Sequence, residues 1–204
     1  MKIRYLFLLL IMTSILSLFI GVSNIHITDI FNLSQQQLEI LRISRFPRLI
    51  SILVAGASLS ICGLIMQQLL QNKFVSPTTA GTMEFARLGV LVAMLFLSTQ
   101  SPIKRMIFAF LFALGGNLVF VSILGKIKFK DTIFVPLTGL MLGNVVGSIS
   151  TFVAYQNNLI QNMSSWLQGD FSIILQGRFE LLYLSIPLLI VSYLFADKFM
   201  ITAM

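Results

Sequence analysis

The sequence has little charge and few groups that could do chemistry. Only 10% of its 204 residues are charged, where a soluble domain carries about 25%. Mean hydropathy is +0.94, which excludes an ordinary aqueous domain and leaves a chain that crosses a bilayer several times. The one cysteine, Cys62, excludes an intrachain disulfide. It sits in an apolar stretch, where a thiol behaves as a small packing group. The one histidine, His26, is far from it in sequence, and the two cannot build a zinc cluster. No glycine-rich phosphate loop of the Walker kind occurs. The seven acidic residues lie mostly in loops and form no catalytic set. No enzyme activity and no cofactor are therefore expected. The net charge of +7 does not point to nucleic acid, because the cations are spread over short segments with no dense patch.

Long apolar runs are what the chain does have. The uncharged run Leu49–Asn72 has 24 residues. As a helix it measures about 36 Å, more than the ~30 Å hydrocarbon layer requires. Ser51, Ala55, Gly56, Ala57, Ser58, Ser60 and Gly63 are scattered through it, which predicts a buried helix that other helices approach closely. Arg45 and Arg48 precede it, and a polar loop with Lys73 and Pro77 follows. The expected class is all-α, a polytopic bundle of about six transmembrane helices. They fall at 5–22, 48–71, 82–101, 106–125, 133–155 and 180–197, within a single transmembrane domain over 1–204.

Taken in order, Lys2 and Arg4 precede the first apolar run. A cleaved signal peptide has that outline too, but the run is longer than a signal core and more spans follow, favouring an uncleaved helix that starts inside. Residues 23–44 are mixed and suggest a short surface helix outside. Glu84 and Arg87 stand three apart and can pair on one helix face. Ala109, Ala113, Gly116 and Asn117 suggest a packing face on the fourth span. Lys126, Lys128 and Lys130 form the clearest inside marker. On this topology seven cations lie inside and six outside. The outer excess at Arg42, Arg45 and Arg48 suits docking of an acidic partner. Thr132–Gly169 has 38 uncharged residues, enough for a span and an outer segment in which Trp166 fits the interfacial aromatic belt. Gly139, Gly143 and Gly147 recur every four residues with Asn144 beside them. That face either packs another element or lines a path for a bulky solute.

The order RFPR, then GASLSICGLIMQ, then QNKFVSPTTAG resembles the FecCD family, the membrane subunits of ABC importers for iron–siderophores, haem and cobalamin. The resemblance runs from about Leu6 to the last residue, and SPTTAGTMEFARLG looks like the subgroup importing petrobactin and catecholate-type ferric siderophores. It implies the N-terminal part of a ten-helix permease in the cytoplasmic membrane, paired with the same or a homologous permease. ATPase subunits would sit inside, and an extracellular or periplasmic siderophore-binding protein would dock outside. By the same resemblance Arg45 and Arg48 would salt-bridge the binding protein. Gly139, Gly143, Asn144 and Gly147 would line the translocation path, and Asn72, Phe74, Asp131 and Thr132 would form the cytoplasmic gate. Family members run well past this length, so the chain is expected to be truncated after the sixth helix and unable to couple ATP hydrolysis to transport alone. The rival reading is a membrane anchor or scaffold with no path of its own.

Overall fold

The computed structural model describes residues 3–20, 34–97, 102–126, 133–167, 169, 171 and 180–202. Among the described residues every regular element is helical, so the all-α class expected from composition is borne out. The helices are α1 (Ile3–Phe19), α2 (Gln35–Ile40), α3 (Phe46–Leu69), α4 (Thr82–Phe96), α5 (Pro102–Lys126), α6 (Phe134–Gln156), α7 (Ile160–Leu167) and α8 (Glu180–Thr202). Three described stretches are long and apolar enough to cross a membrane: Gln35–Gln68, Pro102–Lys126 and Phe134–Gln156. Ile3–Phe19 and Ser185–Ala196 are apolar but shorter. The chain packs as two compact units, Met1–Ser58 with Phe171–Leu189, and Leu59–Asp170 with Ile190–Met204.

In the first unit, α1 buries none of its residues and shows apolar side chains on all sides, as a lipid-facing helix does. Ser34 starts α2 with a capping box. Its Oγ accepts the Gln37 N–H at 3.3 Å, and Gln37 Oε1 accepts the Ser34 N–H at 3.0 Å. Helix α2 then runs through a π-helical turn, Leu41–Arg45, straight into α3. The helical stretch thus begins well before the 48 expected from hydropathy. Pro47 accounts for the wide turn. It has no N–H to donate, and its ring crowds the carbonyl four residues back, so the helix loosens just ahead of it. The turn folds Arg45 inward to 6% exposure, where Nη1 donates to the Leu18 carbonyl in the last turn of α1. That turn of α1 has no basic residue of its own, so Arg45 supplies a cation at the negative end of the helix dipole. Arg42 is exposed and Arg48 half-buried.

In the second unit, glycines let aromatic residues and backbone come close. Gly89 of α4 lies against α5, where an added Cβ would sit 2.5 Å from the Phe108 carbonyl oxygen. The Phe85 ring occupies the space a side chain on Gly116 would need. Thr82 Oγ1 donates to Asn117 Oδ1 at 3.0 Å. Two members of the expected α5 face, Gly116 and Asn117, thus meet α4. Leu91, Ala154 and Met163 form a buried cluster with Val153, Leu159 and Ile160 around it, tying the far end of α4 to α6 and α7. The Arg105 guanidinium stacks 4.9 Å from the centre of the Trp166 ring. The close packing expected of α3 is not made at every small residue. Cys62 is exposed, and a methyl added to Gly56 meets nothing within 4 Å among the described residues. Gly63 has an ordinary contact, with an added Cβ 3.5 Å from the Pro77 ring.

Candidate functional site

The site begins in the loop between α3 and α4. Asn72 Oδ1 accepts the Phe74 N–H at 2.9 Å, the short local bond that lets asparagine close a turn. It leaves Phe74 at the tip, 98% exposed. The rest of the loop turns inward. Gln67 Nε2 donates to the Val75 carbonyl at 3.3 Å, and the Ser76 N–H to Thr79 Oγ1 at 2.9 Å. Val75, Thr79 and Ala80 are buried. Gly81 then starts α4 with φ +76°, a conformation other residues adopt only with strain.

This inward arm lies on the glycine face of α6. The Thr79 carbonyl and Ala80 fill the space beside Gly139, and a Cβ added to Gly143 would be 3.1 Å from the Gly81 Cα. One turn further along, Gly147 meets a side chain instead. Its added Cβ would be 2.6 Å from Glu84 Oε2. That oxygen is 3.6 Å from Arg87 Nη1, so the pairing expected of Glu84 and Arg87 is present. Both side chains are about a third exposed, and such a pair contributes at most about 1 kcal/mol. Glu84 Oε2 and Arg87 Nε are nevertheless buried with no hydrogen bond among the described residues. Leaving such groups unsatisfied costs about 1–3 kcal/mol each.

Beside the pair opens a cleft of about 640 Å³, lined by Glu84, Arg87, Asn144, Ser148, Thr151 and Tyr155 among others. The α6 residues follow helical spacing, so one polar stripe continues the glycine face. Ser148 Oγ donates to the Asn144 carbonyl and Thr151 Oγ1 to the Gly147 carbonyl, each at 2.8 Å.

The predicted site residues therefore divide. Gly139 and Gly143 hold the loop arm, while Asn144 and Gly147 line the cleft. Asn72 and Phe74 stand at the loop tip; Asp131 and Thr132 lie outside the described residues. Arg45 stands on the π-turn, buried against the end of α1, and Arg48 on the first turn of α3. Sequence reasoning missed Ser148, Thr151 and Tyr155. Their spacing from Asn144 was a signal, but serine and threonine in apolar helices commonly bond only their own backbone.

Residues 9–204 match the FecCD transport family. The chain belongs to that family. This FecCD chain is 61% identical over all its 204 residues to the petrobactin import system permease protein YclN of Bacillus subtilis. It is 38% identical over 188 residues to the ferric-anguibactin transport system permease protein FatD of Vibrio anguillarum. It spans 65% of the length of the first and 60% of the second, less than two thirds of each. The fold is similar to that of a solved chain described as a metal-chelate type ABC transporter in an inward-facing conformation. That match has a TM-score of 0.72 at 22% identity, covering 89% of this chain and 57% of the other.

Proposed function

We propose that this chain is the permease subunit of an ABC importer that carries a ferric siderophore across the cytoplasmic membrane. The 61% identity to a petrobactin import permease over the whole chain carries this reading. The subunit supplies a path and performs no covalent chemistry. Separate ATPase subunits drive its change between outward- and inward-open states, and a second permease subunit completes the path. An acidic siderophore-binding protein docks at the Arg45–Arg48 turn. Exposed Arg42 and half-buried Arg48 present charge there, and Arg45 holds the turn to α1. The solute passes the cleft beside Asn144 and Gly147, with Gly139 and Gly143 seating the loop that carries the gate. Asn72, Phe74, Asp131 and Thr132 form that gate on the cytoplasmic side.

The test is uptake of radio-iron as ferric petrobactin by the source strain after deletion of this reading frame. Uptake should fall to background and return when the frame is restored from a plasmid. Undiminished uptake would overturn the petrobactin assignment. Undiminished uptake of ferric anguibactin and other ferric siderophores as well would overturn the transport reading and leave the anchor.

A further inference from the structure

Arg45 is a full charge bonded to an uncharged acceptor. It is buried, and its Nη1 donates to the Leu18 carbonyl in the last turn of α1. Exposed Arg42 stands three residues before it and half-buried Arg48 three residues after it. A carboxylate is the stronger acceptor for such a group, because it brings a negative charge and two oxygens that a guanidinium takes side by side. Three features keep the cost of an exchange low. The long arginine stem lets the charged head turn outward without the backbone moving. The Leu18 carbonyl lies two residues from exposed Ile20, at a helix end where water can replace the lost donor. Helix α1 buries none of its residues, so moving it uncovers no core.

We infer that a docked acidic partner draws Arg45 off the Leu18 carbonyl and so unfastens the end of α1. The inference rests on the docking reading above and adds its regulation, since arrival of the partner becomes release of a helix. Arg42 and Arg48 attract the acidic surface, and Arg45 is the group that changes acceptor. The partner shifts this balance only because it binds the outward arrangement of Arg45 better than the inward one.

The test uses the full chain in lipid nanodiscs with Cys62→Ala to remove the exposed native thiol. Spin labels at Leu16→Cys on α1 and Ile52→Cys on α3, both exposed positions, report the distance between the two helices by pulsed electron resonance. The probe is the purified siderophore-binding protein of the source strain, and its binding is measured on the same samples. The labelled chain alone should give a single narrow distance. With saturating probe the ratio of displaced to native distances should rise about tenfold, as exchange of a carbonyl acceptor for a charged one predicts. Arg48→Glu should prevent docking and leave the narrow distance. Arg45→Met keeps the stem without the donor and should show the displaced distance with or without probe. Docking of the probe with no change in distance would overturn the inference and leave the docking reading standing. So would a narrow distance in Arg45→Met, because the bond would not then be what holds α1. Failure of the probe to bind the otherwise wild-type chain would overturn the docking reading, and the inference with it.

Discussion

A methyl group added to Gly139, Gly143 or Gly147 of α6 runs into the α3–α4 loop or Glu84, whereas one added to Gly56 of α3 meets nothing within 4 Å among the described residues. Both helices carry small residues at close intervals. In α6 the loop arm and a carboxylate have come in to use the room; at Gly56 the space a methyl would take stays open among the described residues. A small residue permits close approach and does not cause it. What approaches also differs along α6. Gly139 faces rigid backbone, and Gly147 faces the end of a flexible side chain.

Three substitutions test this contrast, read as thermal unfolding of the chain in detergent. Gly139→Ala should cost the most, about 3 kcal/mol, because the Thr79 carbonyl cannot yield without moving the buried loop arm. A loss below that of Gly147→Ala would break the ordering. Gly147→Ala should cost about 1 kcal/mol, since Glu84 can swing away from the new methyl. A loss as large as that of Gly139→Ala would mean the carboxylate is held as firmly as the loop. Gly56→Ala should be neutral or stabilise by up to about 1 kcal/mol, the helix propensity gained where nothing is displaced. A clear destabilisation would show that α3 has a close neighbour at that point.

Much of this was legible in the residues. The near absence of charge led to an all-helical membrane chain, because the polar backbone groups of an apolar segment in hydrocarbon must be satisfied within it. The three-residue spacing of Glu84 and Arg87 was enough to pair them. The four-residue spacing of Gly139, Gly143 and Gly147 revealed a groove on α6 but not its occupant. That occupant is a loop whose inward fold depends on Thr79, Ala80 and the positive φ of Gly81. Gly116 belonged to the face expected on α5, but that Phe85 fills it is seen only in the structure; Gly89 belongs to no spacing pattern, and only the position of Phe108 shows why it is glycine. Arg45 looked like a surface cation because it borders an apolar run. Its burial follows from the wide turn ahead of Pro47, which a hydropathy count does not register.

That turn also affects how the longest helical stretch is to be read. From Gln35 to Leu69 the backbone is continuous, yet the π-turn inserts roughly one extra residue, shifting side-chain direction by about 100°. A helical wheel drawn through the whole stretch in a single register would therefore assign Gln36 and Glu39 to the wrong side relative to Ser51 and Val54. Removing one residue between 41 and 45 would restore that register and carry the arginine at 45 away from the Leu18 carbonyl. Insertions or deletions in this short segment would thus act as rotations of one end of the helix against the other, with little change in its length.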